Sequence, residues 1–141
     1  MAPPTPPSPL GRTPILLDSS ALLAFCLDET GADVVADAIG DSADVRMTTA
    51  NVAECTSRLL RLGWDPDQID ALFRDLEIGV VREDLALAIL AGELHARTRQ
   101  AGLSLGDALC LAAALRDERP VLTADRAWST LPPEFNVIVV R

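Results

Sequence analysis

The apolar runs of this chain are short, and stretches with helical periodicity separate them. Residues 15–17 and 137–140 are such runs, whereas residues 69–76 place apolar side chains at the i, i+3, i+4 and i+7 positions of a helix. Short strands that are apolar on both faces and alternate with helices are typical of a parallel sheet covered by helices on both sides. We therefore predict an α/β fold, namely a three-layer α/β/α sandwich with a mostly parallel central sheet.

The same patterns place the individual elements along the chain. We predict strands at residues 15–17, 45–48, 80–81, 121–123 and 137–140. We predict helices at residues 19–27, 33–39, 51–62, 67–76, 84–100 and 105–116. No segment repeats another, so the sheet is built from one alternating series.

The length and composition suit a single folded domain. The chain has 141 residues, of which 49% are hydrophobic and 23% charged, and a domain of that size buries a sufficient core without disulfides or a structural metal. Five of the ten prolines fall in residues 3–9. We therefore expect residues 1–12 to be a proline-rich, poorly ordered tail and residues 13–141 to be the domain.

Charge and targeting signals limit the classes of function. The net charge is -9 and all 12 basic residues are Arg, so the chain lacks the basic surface with which many proteins grip nucleic acid. A nucleic-acid substrate would need metal ions or local arginine clusters. The sequence has neither the pattern of a signal peptide nor an apolar run of membrane-spanning length. We expect a cytoplasmic protein with no membrane association.

Four acidic residues stand where predicted strands end or predicted helices begin. Asp18 and Asp125 follow two strands, and Glu54 and Asp107 lie at the openings of two helices. In open α/β sheets, ligands bind beyond the carboxyl ends of the strands, so we expect the carboxylates to meet there. An all-oxygen cluster without lysine suits a hard divalent cation, which would activate a water and stabilise a leaving oxygen. This pattern indicates a metal-dependent nuclease or phosphatase.

Each acid also has a purely structural explanation. Asp18 could cap the helix that follows it, and Asp125 could be a turn residue. Residues 104–107 and 51–54 both have capping-box spacing, so that the acid of each segment could close the start of a helix.

The predicted helix faces distinguish the last two acids from each other. Asp107 shares its face with apolar residues and has no basic residue three or four positions later. We therefore expect its carboxylate to be buried without an ion-pair partner. Glu54 instead lines up with Arg58 and Arg61, which is the pattern of an exposed ion pair.

The segments that carry the four acids are ILLDSSALLAF, TTANVAECTSRLL, LSLGDALCLAAAL and VLTADRAW, in that order. Together they resemble the acidic motifs of PIN-domain ribonucleases, particularly the VapC-type toxins of bacterial type II toxin–antitoxin systems. The resemblance spans about residues 14–141 and implies a PIN-like nuclease domain.

The resemblance also implies a set of site residues and a cofactor. Ser19 and Thr123 would help to position a water or the metal shell. Four carboxylates would bind Mg²⁺ or Mn²⁺ and act in catalysis: Asp18, Glu54, Asp107 and Asp125. The implied reaction is hydrolysis of an RNA phosphodiester bond by metal-activated water.

The implied partners are an RNA substrate, a cognate antitoxin that covers the acidic groove, and a second copy of the chain in a homodimer. The acidic composition does not explain how the chain would bind RNA. Our candidates for phosphate contacts are Arg126, beside the fourth acid, and Arg58 and Arg61, near the second. Alternatively, these arginines balance nearby acids.

Two other kinds of function compete with this interpretation. A haloacid-dehalogenase-like phosphatase or a phosphoacceptor receiver domain also places Asp after a parallel strand, but both use a lysine that this chain lacks, and the former carries Asp where this chain has Ser20. A non-catalytic PIN-like module for RNA binding or assembly would keep the acids only as caps and surface charge.

Overall fold

The computed structural model describes residues 3, 4 and 10–141. The strands are β1 (Ile15–Leu17), β2 (Val45–Met47), β3 (Ile78–Val80), β4 (Val121–Thr123) and β5 (Val137–Val139). The helices are α1 (Ser19–Cys26), α2 (Ala32–Asp41), α3 (Thr49–Arg61), α4 (Pro66–Asp75), α5 (Leu85–Arg97) and α6 (Leu105–Asp117). All strand pairs are parallel, in the order β3-β2-β1-β4-β5. The predicted α/β/α sandwich is confirmed.

The two helical layers cover opposite faces of the sheet because alternate side chains of a strand point to opposite sides. Leu16 of β1 packs with the buried residues of α5 and α6. Its neighbours Ile15 and Leu17 pack with those of α1, α2 and α3. All three side chains are fully buried. The carboxyl end of β1 is therefore held in the centre of the core, where the next residue along the chain is Asp18.

Several of the predicted boundaries differ from the observed ones by one or two residues, and the third strand and the end of the fifth helix are the clearest errors. The third strand covers Ile78–Val80 rather than residues 80–81, because it pairs in register with the whole of β2. Helix α5 ends at Arg97 rather than at residue 100. The Thr98 hydroxyl donates to a main-chain oxygen of the last turn, and the chain then tightens into a 3-10 turn at Arg99–Ala101.

The chain before β1 is packed on the domain from Leu10 onward. Leu10 contacts the core beneath α1 and α2, and the Ala43 N–H donates to the main-chain oxygen of Arg12 at 3.0 Å. Of the predicted tail, residues 1, 2 and 5–9 lie outside the described residues, so the disorder of the tail stays a prediction. No helix in the described part of the chain is long and apolar enough to cross a membrane.

Candidate active site

Asp18 lies at the carboxyl end of β1 and is 3% exposed. Its Oδ2 atom accepts hydrogen bonds from the Ser20 hydroxyl at 2.6 Å and from the Thr123 hydroxyl at 3.0 Å. Its Oδ1 atom is buried without a hydrogen-bond partner. Although Asp18 occupies the N-cap position of α1, its side chain does not cap that helix, so the capping explanation for Asp18 is wrong. The Oδ1 atom therefore lacks the hydrogen bonds that the two hydroxyls give to Oδ2.

The environment of Asp18 disfavours its negative charge. Burial raises the pKa of Asp18 from its ordinary value of 3.8 to about 6, and the negative charge of Asp107 acts in the same direction. The hydrogen bonds from the Ser20 and Thr123 hydroxyls lower the pKa, and the Ser19 N–H acts in the same direction, but together they only partly offset burial. A cation beside the carboxylate would lower this pKa again, since a nearby opposite charge favours the ionised form.

Two hydroxyl groups join Asp18 to the end of β4. Ser20 Oγ accepts the Ala124 N–H at 2.9 Å, and Thr123 Oγ1 accepts the Asp125 N–H at 3.1 Å. The two hydroxyl oxygens lie 3.1 Å apart, so either one could donate to the other in place of its bond to Asp18. Sequence reasoning identified Thr123 but missed Ser20, although the second serine of the Asp-Ser-Ser run was the available signal. Both hydroxyls hold Asp18 Oδ2 without neutralising the carboxylate.

Glu54 reaches across from α3 to the same region. Its Oε2 atom accepts a hydrogen bond from the Ser19 hydroxyl at 2.9 Å, which ties α3 to the first turn of α1. Its Oε1 atom lies against Gly106, because a Cβ atom added at Gly106 would meet that oxygen at 2.5 Å. The carboxylate is thus held between the starts of α1 and α6. Sequence reasoning predicted a role for Ser19 but missed the close approach at Gly106.

Both structural explanations offered for Glu54 are wrong. Helix α3 begins at Thr49 with Thr48 as its N-cap, and the Thr48 hydroxyl accepts the Asn51 N–H, so residues 51–54 form no capping box. Within residues 10–141, Glu54 forms no ion pair with an arginine. The expected surface pair is replaced by the hydrogen bond from Ser19.

Asp107 closes the start of α6. Its Oδ2 atom accepts the Ser104 N–H at 3.0 Å, and its own N–H donates to the Ser104 hydroxyl at 3.1 Å, which completes a capping box. The carboxylate is half-buried rather than fully buried. The expectation that the Asp107 carboxylate is buried without a partner is therefore wrong. The carboxylate that is buried with an unpartnered oxygen is that of Asp18.

Three of the four acids act electrostatically on one buried thiol, that of Cys110 in α6. Burial raises the pKa of the Cys110 thiol well above its ordinary value, and the negative charges of Asp18, Asp107 and Glu54 all raise it further. These three carboxylates therefore lie within electrostatic reach of one buried thiol. Among the described residues, no three acidic, histidine or cysteine side chains are close enough together to form a ready-made metal site. The oxygen donors and the unpartnered Asp18 Oδ1 nevertheless fit a hard cation.

Asp125 plays a different part from the other three acids. It is exposed, and its Oδ1 atom accepts the Ala127 N–H at 3.0 Å, which caps the 3-10 turn Arg126–Thr130. The turn explanation for Asp125 is thus confirmed. The side chain also lines a groove of about 700 Å³ together with Ser20, so Asp125 borders the site from the β4 side.

Comparison with known proteins places this architecture in a family. A sequence model of the PIN domain matches residues 15–132. The comparison with curated protein sequences finds no match.

Solved structures of toxin–antitoxin proteins share the fold. VapBC2 from Rickettsia felis, bound to a DNA fragment from its promoter, has a TM-score of 0.64 and 14% identity, covering 90% of this chain and 97% of that chain. A toxin–antitoxin complex from Klebsiella pneumoniae has a TM-score of 0.66 and 15% identity, covering 90% and 98%. VapBC-5 from Mycobacterium tuberculosis has a TM-score of 0.55 and 20% identity, covering 92% and 98%. At such identities the similarity shows the shared fold.

Proposed function

Since the chain belongs to the PIN domain family, we propose that it is a metal-dependent endoribonuclease that hydrolyses RNA phosphodiester bonds, and that it is the toxin of a toxin–antitoxin pair. The observation that carries the proposal is the Asp18 carboxylate, which is buried with one oxygen unpartnered and within electrostatic reach of Asp107, while Glu54 is held by the neighbouring Ser19. A buried carboxylate oxygen without a cation or a donor is costly, so a site that keeps one is suited to binding a cation.

The proposed ligands of Mg²⁺ or Mn²⁺ are the carboxylates of Asp18, Glu54 and Asp107, with Asp125 as a further ligand from the β4 side. When bound, the cation would generate an attacking hydroxide from water at neutral pH and stabilise the negative charge on the leaving oxygen. The capping box leaves Asp107 Oδ1 outside the hydrogen bond to Ser104, so capping and metal binding are compatible at this residue.

The residues around the carboxylates act by holding them in place. Ser20 and Thr123 fix Asp18 Oδ2 and leave Oδ1 available. Ser19 fixes Glu54 Oε2, and Gly106 leaves room for Oε1. Neutral hydroxyl donors suit this task, because a lysine or arginine here would compete with the cation for the same oxygens.

Two partners follow from the proposed role. The Rickettsia and Klebsiella structures that share the fold are toxin–antitoxin complexes. We therefore propose that a cognate antitoxin binds this chain and covers the acidic groove, and that the chain acts as a homodimer.

A non-catalytic PIN-like module is the second candidate. The observation that favours it is that Asp107 and Asp125 both serve as caps, which gives each of them a structural reason to be acidic. Metal binding distinguishes the two functions. A site that binds Mn²⁺ should raise the unfolding temperature in proportion to ln(1 + [M]/Kd), whereas a scaffold should respond no more than its Asp18→Asn variant does.

The direct test is RNA cleavage by purified protein without antitoxin, in Mg²⁺, in Mn²⁺ and in EDTA. We expect metal-dependent cleavage that Asp18→Asn abolishes and that Asp37→Asn, at an exposed position of α2, leaves unchanged. The Asp37 variant controls for the loss of one negative charge. Cleavage that persists in EDTA, or in the Asp18 variant, would contradict the proposal.

A further inference from the structure

We propose that four arginines bind the RNA backbone on both sides of the acidic site, so that the substrate lies along one continuous track across the carboxyl ends of β1 and β4. The arginines are Arg58, Arg61, Arg126 and Arg141. This inference rests on the proposed function and goes further, because it names the surface that binds the substrate of a chain whose net charge opposes RNA binding.

The track consists of two grooves that meet at the site. The α3-side groove, of about 690 Å³, is lined by Ser19, Glu54, Arg58 and Arg61 among others. The β4-side groove, of about 700 Å³, is lined by Asp125 and Arg126 among others. Ser20 and Arg141 line both grooves. Because Ser20 donates to Asp18, the point where the grooves join lies at the buried carboxylate.

The ion-pair pattern separates the track arginines from most of the others. The chain has 12 basic residues and 21 acidic ones, so a carboxylate is within easy reach of most surface arginines. Five arginines do pair with carboxylates: Arg46, Arg74, Arg82, Arg116 and Arg119. In the described part of the chain, none of the four track arginines forms an ion pair with an Asp or Glu side chain. Direct ion pairs with side-chain carboxylates therefore do not account for the positions of Arg58, Arg61 and Arg126 in the described chain.

Arg141 is positioned at the junction by main-chain contacts. Its Nε atom donates to the Ala124 main-chain oxygen at 2.7 Å, and the Arg126 Nε donates to the Arg141 main-chain oxygen at 3.4 Å. These contacts hold the two arginines beside the end of β4 through their Nε atoms and leave the terminal guanidinium nitrogens without a side-chain partner in the described residues. A guanidinium held in this way can still bind a phosphate through its terminal nitrogens.

The two-sided layout favours RNA over an acidic protein segment. An endonuclease cuts within a strand, so the substrate must continue past the site in both directions, and phosphates on both sides need positive partners. Apart from the shared Ser20 and Arg141, the two grooves have different linings, and each contains at least one arginine that forms no ion pair with an Asp or Glu side chain in the described chain. A peptide that only blocked the acids would need just one of the two grooves.

The test uses Asp18→Asn protein in Mg²⁺, in which the proposed cleavage is absent, and a short labelled single-stranded RNA as the probe. Fluorescence anisotropy gives the Kd over a range of salt concentrations. We expect Arg58→Ala/Arg61→Ala to weaken binding about tenfold or more and to reduce the slope of log K against log salt by about 1.4, since each phosphate contact contributes about 0.7 on single strands. Arg126→Ala should reduce the slope by about 0.7.

Two further variants serve as controls. Arg97→Ala/Arg99→Ala removes two exposed arginines that also lack ion pairs in the described chain but line neither groove, and it should change the Kd by less than about twofold. Arg58→Lys/Arg61→Lys keeps the charge and should preserve the salt slope. Circular dichroism confirms that each variant is folded.

The outcomes separate this inference from the proposed function. Suppose that wild-type protein cleaves RNA while the Arg58/Arg61 variant binds RNA as tightly as its Asp18→Asn parent. The proposed RNA-binding track is then wrong, whereas the proposed nuclease activity is supported. If the control pair weakens binding equally, the effect is bulk charge and the track is also wrong. If the Asp18→Asn parent does not bind RNA but binds poly-glutamate through Arg58 and Arg61, the arginine track is a binding surface for an acidic protein partner. That result would overturn the inference.

Discussion

Gly106 lies directly against the Glu54 carboxylate: a Cβ atom added at position 106 would stand 2.5 Å from Glu54 Oε1. The two residues are far apart in sequence and come from different helices, α6 and α3. Because Gly106 has no side chain, the carboxylate can approach the start of α6, where Asp107 is located. The absence of one methyl group therefore brings two of the proposed metal ligands together.

Gly106→Ala should weaken metal binding while leaving the fold intact. The new methyl group would push the Glu54 carboxylate away, whereas Ala within a helix is favoured over Gly by about 0.5–1 kcal/mol. We expect a higher Mg²⁺ concentration for half-maximal cleavage and an unfolding temperature in EDTA within a few degrees of wild type. The control is Gly92→Ala at an exposed position of α5, where a Cβ would meet no neighbouring atom within 4 Å. If both variants behave alike in Mg²⁺, Gly106 has no positioning role.

Asp18→Asn should stabilise the metal-free protein at neutral pH. Burial raises the pKa of Asp18 from 3.8 to about 6, so the folded state holds a proton that the unfolded state releases between these values. Wild-type stability should then fall as pH rises from about 4 to about 6, by at most about 3 kcal/mol. Asn cannot ionise, so the advantage of the variant should be small at about pH 4 and full above about pH 6.5. Urea unfolding in EDTA at both pH values measures the difference, and an equal advantage at both would refute the explanation.

Arg119→Ala should destabilise the domain more than loss of an exposed arginine does. Arg119 is mostly buried, and it donates to Asp44 Oδ2 at 2.6 Å and to the Asp44 main-chain oxygen at 3.2 Å, which joins the chain before β2 to the chain before β4. We expect a loss of about 1.5–3 kcal/mol. Arg74→Ala, which removes an exposed pair with Asp70, should cost about 0.5 kcal/mol or less.

The cost of Arg119→Ala should also depend on pH. Burial acts to raise the pKa of Asp44, but hydrogen bonds from Arg119 and Arg46 outweigh burial and hold that pKa below its ordinary value. A lowered carboxyl pKa contributes stability that is present above the unfolded pKa and is lost as pH falls through the folded one. The difference between wild type and variant should therefore shrink in acid. Urea unfolding across this range checks the prediction, and a difference that grows in acid would contradict it.

The elements of the sheet were predictable because they depend on local spacing. Apolar runs such as residues 15–17 read as buried strands wherever they occur, and Asp18 had to follow β1 at the sheet edge where ligands bind. Thr123, at the end of β4, was placed by the same reasoning. The ends of elements were less predictable: the Thr98 hydroxyl ended α5 through a hydrogen bond that helical periodicity does not encode.

The roles of the acids were not predictable from spacing alone. Asp107 and Glu54 have the same capping-box spacing, yet only Asp107 forms the box, because α3 begins at Thr49 and places Glu54 in its second turn. The unpaired carboxylate expected at Asp107 was found at Asp18, whose burial depends on the packing of strands and helices around β1.

The sequence by itself determined the succession of strands and helices along the chain and the parallel type of the sheet, because these follow from periodicity within a few residues. It also indicated the sheet edge at which the acids lie, because ligands of such sheets bind beyond the carboxyl ends of the strands. Only the tertiary structure decided how the carboxylates are held. The Ser19 to Glu54 bond spans 35 positions and the Ser20 to Thr123 contact spans 103. Such contacts depend on how helices dock on the sheet, and docking is set by the packing of the whole core.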